Sequence, residues 1–237
     1  MDFSQDELFD ACDRLVAGLL ERAGTVEPPV DAVRIAGEHL GIPVEVANAD
    51  DDERPRPAAR RTSAGIALAA HMSPEQQHSI CARAIARTLL PPLFRKLDVD
   101  PAAENKQATA HFVGLLTARL LVPTKQLRSA LRTCRFDLIA LKKVFATASW
   151  EAIAHRLLDL DEPCVIVVVD DGVVASRRGN AQPVTKKLTA AEEACLARVM
   201  EQDLPCDERG GGWTVQGWPV PNRPFRRVIL RAVPDDL

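Results

Sequence analysis

The chain has 237 residues, 46% hydrophobic and 27% charged, with a formal net charge of −3. That composition can bury a full core, as one elaborated domain or two small ones. No apolar run approaches the ~20 residues that span a bilayer, and the N-terminus MDFSQDELFDACDRL is acidic and amphipathic, so neither a membrane span nor a signal peptide is expected and the protein is expected in the cytoplasm.

The charge is unevenly laid out. Residues 1–53 hold 14 Asp/Glu against 3 Lys/Arg, whereas 119–156 hold 8 Lys/Arg against Asp137 and Glu151. Such asymmetry steers a charged partner or lets parts of the same protein attract each other. The cysteines, at 12, 81, 134, 164, 195 and 206, form no C-x-x-C pair and mostly sit in apolar runs. Buried free thiols are the main expectation, a metal or redox site the other.

In chain order, residues 4–23 predict a helix with a capping box at Ser4 and Glu7, an apolar stripe from Leu8 to Leu20, and Gly24 as its stop. Pro28-Pro29 leads into a second helix over about 31–40, ended by Gly41, and the alternation in residues 42–46 predicts a short strand. Residues 48–61, with an acid run, two prolines and four arginines, read as a surface loop. Residues 65–70, GIALAA, are the next strand, to which an extended peptide could add; His71 sits in the turn that follows.

Residues 73–92 carry the most information. Ser73 can N-cap, Pro74 suits the first helical position, Gln76 completes a capping box, and Pro91-Pro92 should stop the helix. At about 100° per residue, Cys81, Ile85, Thr88 and Leu89 share one face and Arg83 and Arg87 lie together on the opposite one. Residues 101–121 predict a buried central helix in which Gly114 permits close approach.

Two shorter helices follow near 137–145 and 149–159, cored by Leu138, Leu141, Phe145, Ile153, Leu157 and Leu158 in a helix-turn-helix-like hairpin. Lys142, Lys143, His155 and Arg156 are its nucleic-acid candidates. After Pro163, the run CVIVVV, the turn Asp171-Gly172 and a returning strand predict a hairpin. Thr189 with Glu192 caps a helix to about 202, and two strand-like runs, WTVQGW and FRRVILRAV, close a small α+β region of roughly four strands. Trp213 and Trp218 are expected to pack inside it.

The context GIALAAHMSPEQQHSICARAIARTLL, followed by LLTARLLVPTKQL, resembles the ImmA/IrrE metallopeptidase family, whose helix carries A-H-E-x-x-H-x-L-L after a short strand. The opening order of helix, helix and G-I-P-V strand is similar too. In that register Arg83 and Arg87 stand at the two zinc-ligand positions and Ala84 at that of the general base. The family's next helix reads roughly E-x-E-A-N-x-F-A-x-x-L-L-M-P. Anchored on Leu120-Leu121-Val122-Pro123, it puts Ala110 and Phe112 at the glutamate positions and Gly114 at the asparagine, with only neighbouring His111 able to bind metal.

The resemblance implies an α+β, zincin-like fold: a mostly helical N-terminal domain with a short sheet over 1–160, ending helix-turn-helix-like at about 136–160, and a small α+β domain over 163–237. A catalytic zinc needs about three imidazole or carboxylate ligands and a carboxylate to take the proton. Guanidinium has no lone pair to give, so no metal, no cofactor and no catalytic residue is expected here.

What the resemblance implies is a pseudoenzyme: a catalytically inactive, bacterial or phage regulator of transcription that binds a helix-turn-helix repressor without cleaving it. The partner or anion-binding candidates are Arg83, Arg87, His71, His78 and His111. Two alternatives stay open, a DNA-binding regulator working through residues 125–160 and a metallopeptidase with a relocated site using His71, His78 or His111.

Overall fold

A computed structural model describes residues 3–47, 59–62, 65–100, 106–221 and 224–235. The fold is α+β, with a helical N-terminal part and a small antiparallel sheet toward the C-terminus. Two compact units emerge. One runs to Phe136 and includes Ala140–Ser149; the other comprises Asp137–Ile139 and the described residues from Trp150 onward.

In the first unit, α1 (Gln5–Arg22) starts at the expected capping box, with Ser4 Oγ accepting from Glu7 N at 3.2 Å and Glu7 Oε2 accepting from Ser4 N at 2.7 Å. α2 (Ala32–Arg34) is capped by Asp31 and continues as a π-turn over Ile35–His39. β1 (Val44–Ala47) pairs parallel with β3 (Gly65–Ala69), and β2 (Ala59–Thr62) pairs antiparallel with the other side of β3. Gly65 is required at this crossing, because an added Cβ would lie 2.4 Å from the Pro43 carbonyl that accepts the Ile66 N–H.

This sheet corrects two expectations. β3 is its central strand, so its backbone groups are taken on both sides and an added peptide strand would have to use β1 or β2 instead. Residues 59–61, read from sequence as loop, belong to β2, an edge strand whose segment ARRT has no apolar alternation to announce it. Residues 48–58 of that expected loop lie outside the described residues.

α3 (Pro74–Lys96) follows β3 and is 23 residues long, running through Pro91 and Pro92 rather than stopping there. An interior proline costs about 3 kcal/mol or more. Leu89, Leu90, Leu93 and Phe94 are all buried along this stretch, each stabilising by about 1.5–3 kcal/mol, so burial outweighs the two lost donors. α4 (Lys106–Leu121) packs on α3 and α1, with the Phe112 ring edge-on to Phe94 at 5.6 Å and near Phe3 at 6.3 Å. Gly114 is not at a close approach, since it is exposed and a Cβ there would meet nothing within 4 Å. Residues 101–105 of the expected helix lie outside the described residues.

α4 also carries a buried cation. Arg119 is 1% exposed, lies 3.3 Å from Asp13 on α1 and stacks 4.1 Å above the Phe9 ring. α5 (Thr124–Cys134) is next, and α6 (Leu138–Val144) belongs in part to each unit. Of the expected hairpin core, Leu138, Leu141, Phe145, Ile153 and Leu157 are buried and Leu158 is half-buried.

The second unit is a five-stranded antiparallel sheet of order β5-β4-β8-β7-β6, formed by β4 (Val165–Asp170), β5 (Val173–Gly179), β6 (Cys206–Gly210), β7 (Trp213–Val220) and β8 (Arg227–Pro234). The hairpin turn is as expected, with positive φ at both Asp171 and Gly172. α8 (Ala190–Gln202), capped by Thr189 and Glu192, covers one face, where Ala191, Cys195 and Val199 meet Val165, Val167, Val169, Val215, Val228 and Leu230. α7 (Trp150–Arg156) contacts β4 and β8, and Ile166, Val168 and Ile229 between the α8-facing positions are also buried. Burial on both faces explains why CVIVVV runs apolar without alternation. The strand missed by the sequence pattern is β6, whose CDERG has no apolar rhythm and lies at an edge. Trp218 is buried and Trp213 half-buried against the α8 core.

Candidate partner-binding site on helix α3

The turn after β3 leaves His71 exposed and buries Met72, which fixes how α3 leaves the sheet. Its start is the expected capping box: Ser73 Oγ accepts from Gln76 N at 3.3 Å and Gln76 Oε1 from Ser73 N at 2.9 Å. Cys81, Ala82, Ala84, Ile85 and Ala86 are buried, and Arg83 and Arg87 are exposed. Because α3 persists past its prolines, exposed Pro91 and Arg95 extend the same four-residue spacing. The outward stripe Arg83, Arg87, Pro91, Arg95 therefore displays three guanidiniums over about 18 Å at 1.5 Å per residue. Ending the helix at Pro91, as its sequence suggests, hides Arg95 from view.

The side of α3 facing α2 is held neutral. His78 Nδ1 is buried with no hydrogen-bond partner among the described residues, 3.8 Å from Asp31 Oδ1. Burial pushes its imidazole below the ordinary value, opposed in part by the Asp31 charge. One turn on, burial and then Asp31 push the Cys81 thiol up to about 11. Near neutral pH His78 therefore carries no charge and Cys81 stays a thiol.

This donor set does not fit a zinc ion. Arg83 and Arg87 offer no lone pair, Ala84 offers no carboxylate, and His111 is exposed on α4 with Ala110 and Gly114 around it. Among the described residues no group of three or more His, Cys, Asp or Glu is placed to hold a metal. What exposed guanidiniums at i and i+4 can do is bind a carboxylate or phosphate through paired N–H donors.

Two of the four nucleic-acid candidates are committed inside the protein. Lys142 Nζ donates to the carbonyls of Ala146 and Ala148, each at 2.7 Å, and lies 2.6 Å from the Glu75 carboxylate of α3. Its three protons are thus used within the first unit. Arg156 is 1% exposed and paired with Asp159. His155 is half-buried, its Nε2 has no hydrogen-bond partner among the described residues, and burial, joined by the Arg178 charge, lowers its affinity for a proton against the opposing pull of Glu151 and Asp159. Lys143 is exposed. On α5 the exposed residues Lys125, Arg128 and Arg132 follow one face, with exposed Arg135 at the non-helical C-cap, and Arg132 donates to Ser129.

The arginines of the second unit play a different part. Arg227 grips Asp170 through two bonds of 2.6 and 2.7 Å and also reaches Glu151 at 3.1 Å. Arg231 donates to Gln216 and Glu162, and Arg177 to the fully buried Glu192 at 3.1 Å. All six cysteines are free: Cys12, Cys81, Cys164 and Cys195 are buried as expected, whereas Cys134 and Cys206 are only half-buried.

This α+β architecture is similar to that of a Mycobacterium tuberculosis transcriptional regulator, with a TM-score of 0.68 over 98% of this chain and 77% of that one. The two share 16% sequence identity, so the likeness is one of fold. No protein-family model matches the sequence, and no curated protein does. Among the described residues no helix is long and apolar enough to cross a membrane.

Proposed function

We propose that this chain is a regulatory pseudoenzyme: an ImmA/IrrE-like, zincin-type domain over about 1–160 that binds a helix-turn-helix transcriptional regulator without cleaving it, followed by a small α+β domain over 163–237. The observation that carries this proposal is the outward display of Arg83 and Arg87 on α3 directly after β3, with alanine at the position of the general base. A fold neighbour that is a transcriptional regulator supports a regulatory role.

The chemistry follows from that substitution. Without a metal or a carboxylate there is nothing to activate water, so a bound segment stays intact. Two cations four residues apart repel each other unless an anion sits between or beside them. An acidic segment of the partner can engage the exposed guanidiniums, whose paired N–H donors fix its orientation. His71 and His111, both exposed, are the flanking polar candidates, and His78 stays neutral on the inner side.

The proposal is tested by incubating the purified chain with a helix-turn-helix regulator from the same cell. Size-exclusion chromatography should show a complex, and electrophoresis should show the regulator uncut. A cleaved regulator, or one equivalent of tightly held zinc by elemental analysis, would overturn it. Binding to duplex DNA with a steep salt dependence, lost when Lys125, Arg128 and Lys143 are replaced by Gln, would transfer the function to the basic face of α5 and α6.

A further inference from the structure

Cys195 and Cys206 are eleven residues apart in sequence, on different elements, yet their sulfurs lie 3.2 Å apart. Cys195 is on the inner face of α8 and fully buried, whereas Cys206 opens the edge strand β6 and is half-buried. The contact is reciprocal: Cys195 Sγ lies 3.7 Å from the Cys206 carbonyl, and Cys206 Sγ 3.5 Å from the Cys195 carbonyl.

The seat for this pair is built by the neighbouring strand. Gly217 of β7 stands opposite Cys206, and a Cβ there would lie 2.8 Å from Cys195 Sγ. Any side chain at 217 would push the α8 thiol away from the edge strand. Only the missing side chain lets helix, edge strand and second strand meet with both sulfurs in contact.

We propose that Cys195 and Cys206 form a reversible modification site, a dithiol that hydrogen peroxide converts to a disulfide joining α8 to the edge strand β6. In the first step the Cys206 sulfur attacks the peroxide oxygen and the O–O bond breaks, giving a sulfenic acid and one water. In the second the Cys195 sulfur attacks Cys206 Sγ, the S–O bond breaks, and the hydroxyl leaves as water with the Cys195 proton. Two thiols lose two electrons and two protons in all, and the peroxide is reduced to two waters. Closing the bond needs the sulfurs to move from contact to about 2.05 Å.

The order of the steps follows from placement. Cys206, half-buried at the start of an edge strand, is the more accessible of the two to solvent and oxidant, while Cys195 is held as a thiol by burial. The bond would tie an edge strand to the core helix and shorten the loop between them in the unfolded chain, raising resistance to unfolding.

The test uses the full chain and hydrogen peroxide, followed by alkylation and tryptic mapping without reductant. Residues 188–198 and 199–209 are separate tryptic peptides with one cysteine each, so the expected result is a single cross-linked species of the two, dissolved by dithiothreitol. The oxidised chain should melt about 5 °C higher. Cys206→Ser, at a half-buried position, should remove the linked peptide, and Cys134→Ser should leave it unchanged. Sulfinic acid at Cys206 with Cys195 still alkylatable, or a linkage to any other cysteine, would overturn the proposal.

Discussion

The arginines of α3 and those of the second unit are the same residue put to opposite uses. Arg177, Arg227 and Arg231 are each bonded to a carboxylate within the sheet unit, and Arg177 meets one that is itself fully buried. Arg83 and Arg87 project from a long helix whose inner face is already closed by alanine, isoleucine and leucine. A cation inside is part of the fold, and removing its mate leaves an uncompensated charge. A cation outside adds little to stability and lies where a partner can reach it. Substitutions should therefore separate the two regions: folding fails in one, binding in the other.

The largest effect is expected at Glu192, which accepts from Arg177 and, through its other oxygen, from Thr189 N at 2.7 Å. Glu192→Ala removes both and should cost about 3–5 kcal/mol in urea unfolding. A loss near zero would mean that the pair is not structural. Next comes Gly217→Ala, whose Cβ would lie 2.8 Å from both Cys195 Sγ and Val199 Cγ2 and 3.0 Å from Leu230 Cδ2. Overpacking of this kind should destabilise by about 1–3 kcal/mol, measurable by thermal melts.

A smaller effect follows from two histidines. Burial lowers the folded-state pKa of His78 and of His155 below the ordinary 6.5. The unfolded chain then takes up protons that the folded one refuses. The stability that this provides is complete above about pH 6.5 and declines as pH falls from there toward the lowered folded values. Melting midpoints should drop between about pH 7.5 and 5.5, and His78→Gln and His155→Gln should flatten the profile. A profile unchanged by either variant would contradict the assignment.

Local pattern explains what the sequence discloses and what it hides. The capping boxes at Ser4, Ser73 and Thr189 all form, because each needs only two residues three positions apart. The CVIVVV strand and its Asp171-Gly172 turn are equally local. What was hidden depends on tertiary partners. α3 passes Pro91 because residues distant in sequence bury Leu93 and Phe94; β2 and β6 are strands only because a neighbour pairs with them. The outward placement of Arg83 and Arg87 was legible from helical period. The removal of Lys142 and Arg156 from any surface role was not, because Glu75 and the Ala146 and Ala148 carbonyls come to Lys142 only in the fold, and the burial of Arg156 beside Asp159 is tertiary as well. The Cys195–Cys206 contact was hidden for the same reason: eleven residues separate them, and helix and edge strand must assemble first.

The smallest effect on folding, and the most direct test of the central claim, belongs to the Arg83→Ser/Arg87→Ser double variant. Its unfolding free energy should stay within about 0.5 kcal/mol of the unmodified chain. Titration calorimetry of both proteins against the helix-turn-helix regulator should show affinity weakened at least about tenfold, since charge-assisted hydrogen bonds contribute about 1.5–3 kcal/mol each. Unchanged affinity in a fully folded double variant would contradict a binding role for α3.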